Sequence, residues 1–364
     1  MTEDLSKGGR HLMKRARLRD LGLSIGSLPT GPLNAITDVG GVLVGHETII
    51  LDQPRVVRSG VTVIVPDNGN VWRNHLFAGM HVLNGNGEMT GGAFLEEFGL
   101  LAGPIAITST HSVGAVYEGI VRCKHDLDLG FDLFMPVVAE TDDGWLNDAA
   151  AFAIRPDHVH AALKAARSGA VLEGNVGGGT GMNAHEFKAG IGTASRCVAV
   201  AGGRWTVGVL VQANYGRRNE LRLDGRPIGS RIPTHMVPSP WSTPKDEGSI
   251  IVIVATDAPL LPLQCKRLAQ RAALGVGRVG GTGAPGSGDL LLRCSSGNTH
   301  SMEAVEQPHT ARFLPDLALG PIIDAAIEAT EEGIWNALCA AEDMIGQRGR
   351  RSAAIPLDLL KQLA

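Results

Sequence analysis

Gly248 and Ser249 pose the sharpest chemical question in this chain. A serine hydroxyl is a weak nucleophile that normally needs an adjacent base. An N-terminal serine can use its own α-amine, whose ordinary pKa of about 7.7–8.0 suits proton transfer at neutral pH. Breaking the Gly248–Ser249 peptide would create that amine. The Ser249 hydroxyl could do this itself by attacking the Gly248 carbonyl, moving the acyl group from nitrogen to oxygen ahead of hydrolysis. Glycine at the preceding position permits strained backbone angles and leaves its carbonyl open to attack. Taken alone, the dipeptide reads as a turn ahead of a strand.

Other motifs carry less. Gly281-Thr-Gly-Ala-Pro-Gly286 satisfies G-x-G-x-x-G formally, but Pro285 interrupts it and Asp289–Arg293 reads as a strand where a dinucleotide site needs a helix. Gly177-Gly-Gly-Thr-Gly181 lacks the Lys-Ser/Thr of a phosphate loop. His158 and His160 lie two apart on a helical pattern and face different directions, which makes a poor metal pair. Neither H-E-x-x-H nor a G-x-S-x-G elbow around Ser249 is present.

The elements that must position Ser249 are short β-branched runs alternating with helical patterns. Strands are expected at 61–65, 104–108, 135–139, 197–201, 205–212, 250–255 and 289–293. Helices are expected over 90–101, 148–167, 260–273 and 321–344, where apolar residues recur every three or four positions. This alternation implies a layered α/β domain. Residues 219–247, interrupted by Pro227, Pro233, Pro238, Pro240 and Pro244, read as an exposed loop or linker leading directly into the strand that begins after Ser249.

Composition bounds the rest. The chain has 364 residues, is 44% hydrophobic and 19% charged, and carries a net charge of −4. That describes a soluble globular protein and argues against a nucleic-acid binder, which needs a basic face. No apolar run approaches the ~20 residues of a membrane span. The five cysteines are widely spaced without C-x-x-C, and the charged N-terminus lacks a signal-peptide core, so a cytoplasmic protein with reduced thiols is expected. Residues 1–20 read as a basic, peripheral arm, with compact structure from about Leu21. The 48 glycines are nearly twice the ordinary ~7%. Sixteen fall within 84–92, 174–181 and 275–288, which points to close backbone approach in those places.

Eight ordered segments then carry a resemblance. They are Asp38-Val-Gly-Gly-Val-Leu-Val-Gly45, Asn84-Gly-Asn-Gly-Glu-Met-Thr-Gly91, Thr108-Ser-Thr-His-Ser-Val-Gly114, Val137-Val-Ala-Glu-Thr141, Gly177-Gly-Gly-Thr-Gly-Met182, Val211-Gln-Ala-Asn-Tyr-Gly216, Gly248-Ser-Ile-Ile-Val252 and Gly286-Ser-Gly-Asp289. From about Leu18 onward the chain resembles the self-processing serine aminopeptidases, which include L-aminopeptidase/D-amidase-esterases and β-peptidyl aminopeptidases. The resemblance implies a four-layer αββα sandwich like that of N-terminal-nucleophile hydrolases but with different strand connectivity. It also implies a single catalytic domain over 21–364, cut into chains 1–248 and 249–364, and a homotetramer. No metal or organic cofactor is implied, and the expected substrates are small peptides or aminoacyl amides and esters.

Carried over residue by residue, the resemblance makes Ser249 the nucleophile for both self-cleavage and turnover. Ser287 and Asp289 become its polar partners, Asn214 the side-chain oxyanion donor, and Glu140 the acid that holds the substrate's ammonium. One departure stands out. Some relatives carry a tyrosine two residues after this glutamate, contributing to the oxyanion site, whereas this chain has Asp142 followed by Asp143. An ionised carboxylate cannot donate to an oxyanion, so a backbone N–H is expected as the second donor. The two additional acids would favour cationic or longer-backbone substrates. Two other readings stay open: a self-cleaving acyltransferase resembling ornithine acetyltransferases, which use threonine where this chain has serine, and an uncleaved binding scaffold.

Overall fold

The computed structural model describes residues 15–127, 134–242, 247–301, 306 and 308–364. Its strands in chain order are β1 (Leu43–Leu51), β2 (Val57–Val65), β3 (Asn74–Gly85), β4 (Leu100–Leu101), β5 (Ile105–Ser109), β6 (Val137–Thr141), β7 (Asn183–Ala184), β8 (Phe187–Lys188), β9 (Ile191–Val200), β10 (Gly203–Asn214), β11 (Arg222–Leu223), β12 (Arg226–Pro227), β13 (Glu247–Thr256) and β14 (Gly286–Ser301). The helices that matter for the site are α1 (Gly92–Phe98), α2 (Val113–Asp126), α3 (Pro156–Ala165), α4 (Pro262–Val279) and α5 (Gly320–Ala340).

Two sheets stack face to face. One has the order β1-β2-β5-β6 and the other β4-β3-β14-β13-β10-β9. Helices α2 and α3 cover the outer face of the first, and α4 and α5 that of the second. Three apolar cores fill the gaps, which gives the expected αββα layering. Strand β13 explains why its sequence is apolar without alternation. Ile250, Val252 and Val254 point into the core beneath α4 and α5, while Ile251, Ile253 and Ala255 point between the sheets.

Local sequence accounts for most boundaries and for the places where the elements differ from expectation. Helix α4 starts with Pro262 in its first turn and stops at Gly280, whose φ of 114° breaks the α geometry. The helical pattern over 148–167 divides: a short 3-10 turn (Ala149–Ala151) ends at Phe152 with φ 45°, and α3 begins anew at Pro156. The 90–101 pattern likewise yields only α1, because Gly99 at φ 64° turns the chain into β4. Strands β1 and β3 and helix α2 extend the fold beyond the runs picked out by composition, their apolar positions being interspersed with His, Asn and Gly.

The arm expected over 1–20 differs from residue 15 on. Leu18 is fully buried, Arg19 pairs with Glu332 of α5, and Arg15 donates to the carbonyls of Leu338 and Ile355. Arg15 and Arg19 are thus tied to the body of the protein. Residues 1–14 lie outside the described residues. The segment from 219 onward has no long element before β13, as its prolines require, yet it is packed: Leu221, Leu223, Ile228, Ile232 and Val237 enter the core beneath α4 and α5.

Candidate active site

Three adjacent strands bring the candidate residues together at one end of the six-stranded sheet. Ser249 on β13 lies opposite Asn214, the last residue of antiparallel β10, and opposite Gly288 on parallel β14. The same register sets Gly248 beside Ser287 and Ile250 beside Asp289. Strand alternation turns Ser249 and Asn214 toward the second sheet. From that sheet β6 delivers Glu140 to the same cavity, whose volume of about 610 Å³ is that of a small-ligand pocket. Ser249, Glu140, Asp142, Asn183, Asn214, Trp145, Trp241 and Arg350 are among its walls.

Ser249 is buried, yet its hydroxyl makes no hydrogen bond among the described residues. Asn214 is held firmly. The Asn183 backbone N–H donates to its Oδ1 at 2.9 Å, and its Nδ2 donates to the Asp142 carbonyl at 2.9 Å. Because the Asn183 group can only donate, it fixes which end of the Asn214 amide carries oxygen. One N–H of Nδ2 is left over for an acceptor in the cavity. Asn183 is positioned by the tight β7–β8 hairpin, in which His185 and Glu186 adopt φ of 49° and 64°.

Ser287 and Asp289 form their own pair on β14. The Ser287 hydroxyl donates to Asp289 Oδ1 at 2.5 Å, and the Ile250 N–H also bonds the Asp289 carboxylate. Burial raises the Asp289 pKa above the usual carboxylate range, and these two donors partly offset it. The start of β14 is clamped by the end of β3 and the residue after it, where Asn84 Nδ2 donates to the Ser287 carbonyl and Asn86 Nδ2 to that of Gly286. Glycine is required at 288: a Cβ there would meet the Asn86 carbonyl oxygen at 2.6 Å and Gly87 Cα at 2.8 Å.

Glu140 sits buried at the end of β6. Its Oε1 accepts the Glu88 N–H at 2.9 Å, and its Oε2 accepts a short bond from the Thr110 hydroxyl. Burial is the main cause of its raised pKa, and the charges of Asp142 and Glu88 push the same way. A cation in the cavity would relieve all three effects. The two acids that follow separate: Asp142 is exposed and lines the cavity, whereas Asp143 is buried and bonded to Asn147. Only one of the two therefore adds charge to the cavity wall.

Several wall residues were not singled out from sequence. Thr110 lies within the Thr108–Gly114 segment and Asn183 directly follows Gly177–Met182, so their positions relative to those segments are the available signal. Trp145, Trp241 and Arg350 come from distant parts of the chain with no local pattern. Trp145 packs edge-on against Trp241 at 5.7 Å between ring centroids, and the Arg350 guanidinium lies 4.3 Å from the Trp145 ring. Among the described residues no group of His, Cys, Asp or Glu could hold a metal ion.

A profile of Peptidase family S58 matches residues 34–352. The chain belongs to that family. Three relatives sharpen the placement. Family S58 likeness extends to the beta-peptidyl aminopeptidase BapA of Sphingosinicella microcystinivorans, 43% identical over 93% of this chain and 89% of that protein. Among solved structures, a Burkholderia sp. beta-aminopeptidase superposes with a TM-score of 0.89 at 47% identity, covering 96% of this chain and 99% of the other. The L-aminopeptidase D-Ala-esterase/amidase of Ochrobactrum anthropi, described as a prototype for the serine aminopeptidases and a new variant of the Ntn hydrolase fold, gives 0.88 at 43% identity, covering 95% and 97%. This family S58 chain is thus a serine peptidase hydrolase with an Ntn-hydrolase-like fold.

Proposed function

We propose that the chain is an N-terminal-nucleophile aminopeptidase and amidase, matured by its own cleavage between Gly248 and Ser249. The observation that carries this reading is the register that sets Ser249 between Asn214 and Gly288 at a cavity containing buried Glu140. In maturation, Ser249 Oγ attacks the Gly248 carbonyl carbon, and the carbon–nitrogen bond breaks as the hydroxyl proton passes to the nitrogen. Water then hydrolyses the resulting ester, leaving a Gly248 carboxylate and a free Ser249 amine.

In turnover that amine takes the Oγ proton as Ser249 attacks the first carbonyl of the substrate. The second N–H of Asn214 Nδ2 stabilises the oxyanion, the departing amine receives the proton, and water releases the amino acid from Ser249. Ser287, backed by Asp289, accepts a hydrogen bond from the Ser249 amine and orients it. Glu140 receives the substrate's ammonium, which restricts the enzyme to unblocked N-termini. A backbone N–H supplies the second oxyanion donor.

Two further elements of the reading have their own supports. The homotetramer rests on family resemblance, and light scattering on the purified protein tests it. The cytoplasmic location rests on the five cysteines, all free thiols in the structure. No helix among the described residues is long and apolar enough to cross a membrane. Intact mass together with hydrolysis of aminoacyl p-nitroanilides tests the central proposal. Wild type should give fragments of 248 and 116 residues with Ser249 as a new N-terminus, and Ser249→Ala a single inactive 364-residue chain. A stable, uncut and inactive wild type would refute it in favour of a binding scaffold.

A further inference from the structure

The wall of the cavity can be followed residue by residue. Glu140, Asp142, Gly144, Trp145 and Arg350 all line it, the Asp142 carbonyl accepting from Asn214 and the Arg350 guanidinium lying over the Trp145 ring. Ser249 lies across from Asn214. With an ammonium at Glu140 and a carbonyl at Ser249, the departing part of a substrate is left to the remaining walls, which include Trp145 and Arg350.

Arg350 is built to receive something there. Its Nη1 donates to the carbonyls of Trp145 at 3.2 Å and Gly144 at 3.4 Å, and its plane rests over the Trp145 ring. Among the described residues it has no carboxylate partner, although Asp142 lines the same cavity and has its Oδ1 occupied by the Gly144 N–H at 2.7 Å. The Nε and Nη2 hydrogens form the fork that binds a carboxylate through two parallel bonds, and they make no bond to the described residues. Stacking and the two carbonyl contacts hold the side chain in place beforehand, which limits the ordering cost of binding.

We infer that Arg350 is a carboxylate subsite and that the favoured substrates are short peptides, chiefly dipeptides, whose departing residue ends in a free carboxylate. This rests on the aminopeptidase reading and names its substrate class. The other charged walls make the inference specific: Glu88, Glu140 and Asp142 would repel a substrate carboxylate, and Arg350 is the one arginine or lysine among the described lining residues.

The test uses matured enzyme and three substrates sharing the amino acid it releases fastest: a dipeptide, its C-terminal amide and the aminoacyl p-nitroanilide. Wild type should favour the free dipeptide over its amide by about 10- to 100-fold in kcat/KM, the range of a hydrogen-bonded charge. Arg350→Gln should reduce that ratio to one or below, and Arg350→Lys should keep part of it. A wild-type ratio near one would overturn the inference while leaving the aminopeptidase reading intact. So would equal losses on all three substrates in Arg350→Gln, which would make Arg350 a prop for Trp145. A wild type inactive on every substrate would overturn both readings.

Discussion

Ser249 and Asn214 are direct cross-strand partners, the final pair of the β10–β13 ladder. This makes the distance from nucleophile to oxyanion donor a property of backbone register and not of loop conformation. The rest of β13 packs into a different core on each face, so a one-residue slip would exchange the side chains that the two cores receive and disrupt the packing of both. The core thereby enforces the geometry of the candidate site.

Replacing Asn214 with alanine removes the proposed donor and two hydrogen bonds, to Asn183 N–H and the Asp142 carbonyl. Loss of an oxyanion donor typically costs ~10²–10³ in kcat, and each buried bond contributes about 1 kcal/mol to stability. Steady-state kinetics should show the fall mainly in kcat, and thermal melting should show a folded protein of moderately lower Tm.

Glu140→Gln keeps the shape of the ammonium pocket and removes its charge. kcat/KM for free aminoacyl substrates should fall roughly 10- to 100-fold, the range of a charge-assisted bond. N-acetylated analogues, poor substrates of wild type, should change little. The raised pKa of Glu140 has a second consequence. As pH falls through that value the carboxylate is lost, so wild-type kcat/KM should begin to decline at a higher pH than an exposed glutamate would give. Glu140→Gln should lack that limb of the profile.

Asp143 gives a stability prediction with a defined sign. Burial pushes its pKa up to about 7 from an ordinary 3.8, partly offset by the Ser59 and Asn147 side chains. Between those values the folded state holds a proton that the unfolded state has released. Stability therefore declines as pH rises from about 4 to about 7 and levels off above that, by a few kcal/mol at most at ~1.4 kcal/mol per pH unit. Asp143→Asn should flatten this slope when Tm is followed from pH 5 to pH 8. Some slope should persist, because Glu173 is also pushed up to about 7 by burial.

The legible part of the fold was the part in which side chains alone dictate structure. The apolar run after Ser249 marked a doubly buried strand, and the prolines before it excluded a long element. β3 was not legible because its apolar residues serve one core while His75, His81, Asn84 and the glycines answer to partners remote in sequence. Arg15 and Arg19 look solvated in sequence for the same reason, since their carbonyl and carboxylate partners lie more than 300 residues away in α5 and beyond. In the candidate site, residues within contiguous motifs could be read from sequence. Trp145, Trp241 and Arg350 could not, because only the folded register brings them to one cavity.

Gly248 offers the most direct test of the proposed maturation. Its φ of 155° lies outside the range ordinary side chains adopt, and a Cβ would meet the Asn214 carbonyl oxygen at 2.7 Å and Tyr215 Cα at 2.8 Å. Both obstacles are backbone atoms of the neighbouring strand and cannot rotate away. Gly248→Ala must therefore shift the end of β13 away from β10, at a cost of about 1–3 kcal/mol, and move the scissile carbonyl relative to Ser249 Oγ. The core residues from Ile250 onward hold the rest of β13, so the variant should fold. Timed denaturing gels after synthesis should show the full-length chain persisting far longer than in wild type. Any fraction that does mature has lost its bond to residue 248, and its kcat per cleaved chain should be close to the wild-type value. Cleavage of Gly248→Ala at the wild-type rate would mean that the close approach of Gly248 to β10 plays no part in setting up the attack.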